Sequence, residues 1–511
     1  MRINQLKAGV ILSYISMFLG YAISIAYTPI MLRLLGQSEY GLYNLVSSVV
    51  SYLGLLSFGF GSGYVRFYSR YKVRDQQEEI AKLNGMFLVV FSVIGLIAIL
   101  AGSAMVVNTE RVFGTKLSPD ELKTTKILMV IMVFNLATSF PASVFNSYIT
   151  ANEQYVFQKL LQMIRVVVNP LLVLPVLLLG YKSVGMVVVT TLLTLTIEIS
   201  NIMFCFTRLH IRFSFREFDL GLLKEVAVFS SFIFLNMIID QVNWNVDKFL
   251  LGRFRGTVAV AVYGLAAQLN SYYMSLSTAI SSVFIPRVNQ MVAKGEDNME
   301  LTRLMTRVGR VQFIVLCLIG TGFILFGLPF IKLWAGKDYL DSYPITLLLI
   351  IPATVPLTQN IGIEIQKAKN MHQFRSWVYI LIALANLIIS IPLIDRFGGV
   401  GGALGTAISL LIGNGVVMNW YYHYRVGLDM GYFWKEVLKC GPAFVFPVIV
   451  GLLLKLFLEI SEPISFLTAG FIYTVSFILS MWLIGMNHYE KELIARPVTK
   501  ALRRVRERVI G

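Results

Sequence analysis

The sequence has little charge and few of the side chains that hold metals or form disulfides. Charged residues make up 14 % of its 511 residues, whereas a soluble chain carries about 25 %. Its three cysteines, Cys205, Cys317 and Cys440, show no pairing or metal-ligand spacing, and the four histidines are scattered. It also has no GxxxxGK[ST] motif, so a P-loop nucleotide hydrolase is excluded. We therefore expect no disulfide framework, no metal site, no cofactor and no soluble catalytic domain.

Long apolar runs are what the sequence has in abundance. Hydrophobic residues make up 56 % of the chain, and the mean hydropathy is +0.71. About fourteen apolar stretches, from Gly9–Met31 to Ile464–Met486, each have the roughly 20 residues needed to cross a hydrocarbon core. The first has a basic start but no cleavage site, so we expect it to be a retained span and not a signal peptide. The sequence predicts an all-α polytopic membrane protein with about fourteen transmembrane helices.

The basic residues predict how the chain is oriented. Most of the 44 Lys and Arg fall in one of two alternating sets of connections, which places both termini in the cytoplasm. This bias explains the net charge of +16, so we expect no nucleic acid partner. The basic tail from His488 to Gly511 is expected to lie on anionic membrane lipids or to remain in solution. Arg33, Arg253 and Arg255 fall on the external side, against the bias, where they either hold an anionic ligand or are merely exposed.

A faint internal repeat predicts two related halves. Three pairs of positions match at nearly the same separation: Tyr43-Asn44-Leu45 with Tyr263-Gly264-Leu265, Asn169 with Asn386, and Val184-Gly185 with Val400-Gly401. An even number of spans between the copies makes them parallel repeats. We predict a six-helix bundle in residues 1–210, a cytoplasmic linker in 211–225 and a second six-helix bundle in 226–425. Residues 426–511 would add two transmembrane helices and the basic cytoplasmic tail.

Polar residues form stripes along several predicted spans, and these are the candidate substrate-binding residues. The stripes contain Asn135 and Asn146 in the fourth span, Gln162, Arg165 and Asn169 in the fifth, and Asn236, Asn243 and Trp244 in the seventh. Polar groups facing lipid cost free energy, so several such helices predict a water-filled cavity lined from both halves. The alternative is hydrogen bonding between helices in a dry bundle.

Charged residues within or beside the spans suggest ion coupling or anion binding. Asp240 lies deep in its span, where a carboxylate must be protonated, paired or hydrated. It is a candidate coupling or gate residue, and a structural salt bridge is the alternative. Glu198 and Glu364 are weaker candidates of this kind. Asp247 and Lys248, near the outer end of the span that contains Asp240, are either a boundary pair or further candidates. Arg66, Lys159 and Arg165 would form a cationic entrance suited to phosphate groups, or else extend to lipid headgroups.

Two segments carry a family resemblance. The first resembles polysaccharide repeat-unit flippases and consists of Leu35-Gly36-Gln37-Ser38-Glu39-Tyr40-Gly41-Leu42-Tyr43, with Phe58-Gly59-Phe60-Gly61 and Arg66-Phe67. The second resembles the same flippases and consists of Asp247-Lys248-Phe249-Leu250-Leu251-Gly252 followed by Val262-Tyr263. These O-antigen, capsular and exopolysaccharide flippases belong to the multidrug/oligosaccharidyl-lipid/polysaccharide exporter superfamily. The resemblance covers essentially the whole chain.

The resemblance implies a transporter of the bacterial cytoplasmic membrane that works by alternating access. Its substrate would be an undecaprenyl-pyrophosphate-linked oligosaccharide moved from the inner to the outer leaflet, with coupling to an H⁺ or Na⁺ gradient and with the polysaccharide polymerase machinery as an expected partner. A flippase for another lipid-linked precursor is one alternative, and a cation-coupled multidrug exporter of the same superfamily is another. A membrane-embedded polymerase or ligase would need a large external loop with paired Arg or His residues, which the sequence lacks.

Overall fold

The chain is helical along nearly its whole length. In a computed structural model, residues 5–216, 218–371, 373–493 and 495 are described, and that part contains no β-strand. The first half contains α1 (Gln5–Leu53), α2 (Phe60–Val73), α3 (Gln77–Val107), α4 (Thr109–Phe113), α5 (Pro119–Ala151), α6 (Tyr155–Leu178), α7 (Lys182–Thr207), α8 (Leu220–Arg255) and α9 (Thr257–Ser282). Ile494 and residues 496–511 of the basic tail, together with His372, lie outside the described residues.

The remaining helices are shorter on average and more often interrupted. They are α10 (Ile285–Ala293), α11 (Asn298–Trp334), α12 (Ser342–Thr358), α13 (Asn360–Ala368), α14 (Gln373–Phe397), α15 (Gly399–Leu410), α16 (Met418–Tyr421), α17 (Met430–Leu438), α18 (Val445–Phe457) and α19 (Pro463–Ser480). Short π-helical turns follow α15, α16 and α19.

Many of these helices, alone or joined to a neighbour, have the length and apolar composition of membrane spans. Among the described residues, ten helices could cross a membrane, or twelve when each of two bent pairs counts as one span. One of the ten, Leu12–Val73, is broken at Gly36, whose backbone (φ 74°, ψ 170°) is not helical. That positive φ favours glycine and separates two predicted spans. Each of the fourteen predicted spans coincides with helix over most of its length, and the all-α membrane fold is confirmed.

Contacts between Cα atoms group the chain into two compact units. The first unit comprises Met1–Gly264 with Leu387–Gly402, and the second comprises Leu265–Asn386 with Ala403–Gly511. The grouping follows spatial contacts and not sequence duplication, so the predicted bundles 1–210 and 226–425 stay a prediction.

An aromatic core holds the first unit together. Buried rings of α2 and α3 stack or meet edge-on, as Tyr64 and Phe87 do at a centroid distance of 5.2 Å. The Tyr64 hydroxyl donates to Asn84 Oδ1 at 2.5 Å, and the Asn84 amide donates to the carbonyl of Arg212 at 2.8 Å. Ser214 N also donates to the carbonyl of Ala81 at 2.9 Å. The segment predicted as a linker is therefore bound to the end of α3.

The first unit has two chemically different ends. At one end, called the basic face, the segments 70–77, 151–155, 207–216 and 218–220 meet. Lys72 Nζ, for example, donates to Asn152 Oδ1 at 3.1 Å. At the other end, called the opposite face, the segments 36–39, 108–121, 180–183 and 253–257 meet. There Ser38 Oγ donates to Glu121 Oε1 at 2.6 Å. Successive helices run between these two faces.

In the second unit, a buried ion pair fixes the end of the C-terminal helices. Arg310 of α11 and Glu490 are 4 % and 3 % exposed, and Arg310 Nε lies 2.6 Å from Glu490 Oε1. Arg310 Nη2 also donates to Glu490 Oε2 at 3.1 Å and to the carbonyl of Gly485 at 2.8 Å. The segment that follows the last predicted span is thus bound to α11 by a bidentate contact.

Candidate functional site

A polar cavity of about 410 Å³ lies between α5, α6 and α7 of the first unit. Its lining is Ser139, Ala142, Ser143 and Asn146 from α5, Gln158, Leu161, Gln162 and Arg165 from α6, and Thr194, Ile197, Glu198 and Asn201 from α7. The polar members lie in the halves of these helices that are nearer to the basic face. A cavity lined by amides, hydroxyls and two opposite charges is suited to a hydrated polar ligand.

Helical spacing explains why the side chains of α6 converge. Gln158, Gln162 and Arg165 are four and three residues apart, so they lie on one face of α6. Arg165 is about ten residues into the helix, or roughly 15 Å from its start at 1.5 Å per residue. The cavity therefore reaches well into the apolar part of the helices.

Hydrogen bonds hold some of the lining and leave other side chains facing open space. Gln158 Nε2 donates to Asn146 Oδ1 at 2.9 Å and to Thr150 Oγ1 at 2.7 Å. Arg165 Nη2 donates to Thr194 Oγ1 at 3.2 Å. Asn146, Gln162 and Arg165 are nonetheless exposed. A guanidinium has five N–H donors, so the Arg165 head group retains the capacity to bind an anion.

Several predicted residues stand beside the cavity and not in its lining. Lys159 Nζ donates to the lining residue Gln162 through Oε1 at 3.1 Å. Asn135 Nδ2 donates to Thr191 Oγ1 at 3.0 Å, and Thr190 Oγ1 donates to Asn169 Oδ1 at 3.2 Å. At Asn135 and Asn169 the structure thus shows contacts of the interhelical kind, which was the alternative prediction for these stripes.

The stripe on α8 contains both exposed and buried members. Asn236 and Asp240 are exposed, Asn243 and Lys248 are half-buried, and Trp244 is 38 % exposed. The next acidic residue, Asp247, is buried and accepts a hydrogen bond from the Tyr263 hydroxyl at 2.6 Å. Asp247 therefore contributes to packing between α8 and α9, whereas Asp240 is accessible in the middle of α8.

Two predicted site residues lie away from the cavity. The guanidinium of Arg66 lies over the ring of Phe229, 4.3 Å from its centroid. Glu364 in the second unit forms an ion pair with Lys367 at 2.8 Å, one turn further along α13. Neither residue lines the cavity between α5, α6 and α7.

Sequence reasoning did not identify the polar lining residues Thr194 and Asn201, or the group of hydrogen bonds around Glu121. Thr194 and Asn201 flank Glu198 at spacings of four and three residues, a stripe that the same periodicity argument would have found. Glu121 accepts hydrogen bonds from Ser38 at 2.6 Å, Thr257 at 2.7 Å and the backbone N–H of Ser118 at 2.9 Å. The Ser-x-x-Glu capping box at 118–121 was the signal for Glu121.

The motif that carries the family resemblance is packed at this same opposite face. Glu39 accepts a hydrogen bond from Ser183, and Lys182 Nζ lies 3.7 Å from its carboxylate. A Cβ atom on Gly41 would overlap the carbonyl oxygen of Thr257, so α1 and α9 touch backbone to backbone there. The motif therefore joins the part of α1 just after the break at Gly36 to the starts of α5, α7 and α9. These contacts lie at the end of the unit away from the polar cavity.

Comparisons with known proteins identify the family. Residues 6–292 match the model of the polysaccharide biosynthesis protein family, so the chain belongs to that family. It is 23 % identical to the uncharacterized membrane protein EpsK of Bacillus subtilis (strain 168) over 492 residues, covering 94 % of this chain and 95 % of that protein. It is 21 % identical to the putative O-antigen transporter of Shigella flexneri, covering 79 % of this chain and 95 % of that protein.

A solved structure shows the same fold. The lipid II flippase MurJ, in its inward closed conformation, superposes with a TM-score of 0.75 at 14 % identity, covering 95 % of this chain and all of that one. A multidrug resistance MATE family transporter of the MOP superfamily, in an inward-facing conformation, has a similar fold, with a TM-score of 0.67 at 12 % identity, covering 81 % of this chain and 96 % of that one. The predicted all-α membrane fold is therefore shared with both solved structures. The relatives named for an activity are transporters or flippases and not enzymes, which agrees with the prediction of a transporter.

Proposed function

We propose that this protein flips an undecaprenyl-pyrophosphate-linked oligosaccharide from the inner to the outer leaflet of the bacterial cytoplasmic membrane, for the synthesis of a cell-surface polysaccharide. Membership of the polysaccharide biosynthesis protein family supports the pathway class. The putative O-antigen transporter of Shigella flexneri supports the substrate class.

The observation that carries the proposal is the polar cavity between α5, α6 and α7. A lipid-linked oligosaccharide presents anionic phosphates and many hydroxyl groups, which are costly to move through hydrocarbon. Arg165 supplies planar donors for phosphate. Asn146, Gln158 and Gln162 supply amides that donate to and accept from sugar hydroxyls.

The orientation follows from the charge of the two faces. We place the basic face in the cytoplasm, because basic connections are retained on that side. The cavity then lies in the cytoplasmic halves of α5, α6 and α7, where a substrate made on the inner leaflet arrives. The contacts of Glu39, Gly41 and Glu121 close the first unit at the external face. The hydrophobic tail of the substrate stays in lipid while the head group enters the cavity.

Asp240 and Glu198 are the candidate coupling residues in this proposal. Asp240 is accessible at mid-membrane on α8 and Glu198 lines the cavity beside Arg165. A carboxylate at that depth changes its interactions strongly when it binds a proton or Na⁺. Either cation, driven by its gradient, would reset the transporter after release of the substrate.

Deletion of the gene, followed by analysis of lipid-linked sugars, tests the proposal. We expect completed repeat units to accumulate on the inner leaflet and the surface polysaccharide to disappear. Complementation with Arg165→Glu should restore less polysaccharide than wild type. Arg208→Glu is the matched control, because Arg208 is an exposed cation at the basic face outside the cavity. A deletion strain with normal surface polysaccharide and no accumulated intermediate would refute the proposed function.

A further inference from the structure

The opposite face of the first unit contains a second polar cavity, with a different chemistry. It measures about 550 Å³ and is lined by Gly114, Lys116, Arg253, Phe254, Arg255 and Asp395. Three of these side chains are cationic and one is anionic, so the lining carries an excess of positive charge. In the proposed orientation this cavity faces the external side, where basic residues are not needed for membrane insertion.

Hydrogen bonds to backbone carbonyls near the ends of two helices orient the two arginines. Arg253 Nη1 donates to the carbonyls of Arg111 at 3.1 Å and Val112 at 2.7 Å, in α4. Arg255 Nε donates to the carbonyl of Ile394 at 3.3 Å, and its Nη2 donates to the carbonyl of Asp395, in α14. These bonds go to neutral carbonyls, so they orient both guanidinium groups and neutralise neither charge. An arginine has five N–H donors, and donors remain on each guanidinium for a ligand in the cavity.

Lys116 provides a third cation in the lining. Its side chain is exposed and forms none of the hydrogen bonds or ion pairs of the described residues. Arg253 and Arg255 are also exposed. Oriented guanidinium groups beside an exposed ammonium are suited to a multiply charged oxyanion, because each guanidinium can bind two oxygens at once and the lysine adds a point charge.

We propose that this cavity is a binding site for a phosphate-class anion, formed by Lys116, Arg253 and Arg255. The anion comes from a lipid headgroup in the outer leaflet or from free phosphate. Its role as a receiving site for a transported pyrophosphate headgroup rests on the proposed function, whereas its ligand chemistry rests only on the residues of the cavity.

Protection of Lys116 from an amine-reactive reagent tests the site directly. The full-length protein is placed in phosphatidylcholine nanodiscs and labelled with a water-soluble acylating reagent, and modification at each lysine is measured by mass spectrometry. Inorganic pyrophosphate should slow the labelling of Lys116. Lys123 is the internal control, because it is exposed at the same face but does not line the cavity. Equal rates at Lys116 with and without pyrophosphate would overturn the proposal.

The substitution Asp395→Asn distinguishes an anion-binding site from a cluster of charged residues that only stabilises the fold. Arg255 binds the backbone carbonyl of Asp395 and not its carboxylate, so this change leaves the hydrogen bond in place. Removing a negative charge from the lining should lower the pyrophosphate concentration needed for half-protection, by about fivefold for an interaction near 1 kcal/mol. Arg253→Gln should raise it. Unchanged or weaker protection in Asp395→Asn counts against the site.

Lipid composition distinguishes the sources of the anion. Protection of Lys116 by a few per cent of a polyprenyl pyrophosphate, but not by phosphatidylglycerol, assigns the site to the transported lipid class. Protection by phosphatidylglycerol alone assigns it to bulk membrane lipid. Protection by neither lipid, with pyrophosphate effective, assigns it to a free anion. Labelling does not require transport, so loss of protection with intact flipping removes this site and leaves the proposed function standing.

Discussion

Asn44 of α1 lies directly against Gly264 of α9, and the predicted repeat pairs these two positions with each other. A Cβ atom added to Gly264 would lie 2.9 Å from Asn44 Cγ. Asn44 is held in place by a hydrogen bond from its amide to the carbonyl of Tyr40 at 3.0 Å. The contact brings α1 and α9 close together at this point, and the repeat itself stays a prediction.

Gly41→Ala should destabilise the protein. The new methyl group would overlap the backbone carbonyl of Thr257, which cannot rotate away as a side chain does. We expect a loss of about 1–3 kcal/mol or more, seen as a lower temperature of aggregation in detergent. Gly54→Ala is the control, because nothing lies within 4 Å of the added atom. Equal stability of the two variants would show that α1 and α9 separate easily.

Glu490→Gln should destabilise the second unit. It leaves the Arg310 guanidinium buried with a neutral partner, and breaking a buried pair costs about 3–5 kcal/mol. Glu300→Gln breaks an exposed pair with Arg303, in which the side chains are 48 % and 49 % exposed, and should cost under about 1 kcal/mol. Thermal unfolding of the purified variants measures both changes. Comparable losses would mean that water reaches Arg310.

Cysteine labelling should separate the wet members of the polar stripes from the dry ones. Asn146→Cys and Gln162→Cys, in a background with the native cysteines replaced, should react with a charged maleimide, because both positions face the cavity. Asn135→Cys should react at least about tenfold more slowly, since Asn135 is hydrogen-bonded to Thr191 between helices. Uniform protection of all three positions would contradict a hydrated cavity.

Asp240→Asn should impair transport while the protein still folds. An amide keeps the size of the carboxyl group but has no negative charge and does not exchange a proton in the physiological pH range. We expect at least about a tenfold slower gradient-driven flipping in proteoliposomes, equivalent to about 1.4 kcal/mol. Asp120→Asn, an exposed site in the first turn of α5, is the control. Wild-type flipping by Asp240→Asn would exclude this residue from ion coupling.

Much of the fold was predictable because membrane insertion imposes strong periodicities. Each span must be apolar over about 20 residues, and its ends carry charge of predictable sign. The glycine break at Gly36 and the helix at Thr257–Ser282 follow from the same pattern. Bends within spans, such as the 43° change of direction between α12 and α13, depend on packing between helices. They could not be predicted from the hydropathy of the sequence.

The site was only partly predictable, for a physical reason. Periodicity shows that Gln158, Gln162 and Arg165 share a face, but it does not show which helices that face meets. The same pattern is produced by Asn135, whose amide bonds to Thr191 in a helix contact, and by Asn146, which lines open space. Whether a polar stripe lines a hydrated cavity or packs against another helix depends on the neighbouring helix, which the local sequence pattern does not identify.

The contact between Asn44 and Gly264 also restricts which residues can occupy these two positions. A Cβ atom at position 264 would lie 2.9 Å from Asn44 Cγ, so asparagine at both positions would require the same volume. While α1 and α9 stay this close, the two positions can therefore accept only an unequal pair, one residue with a side chain and one without.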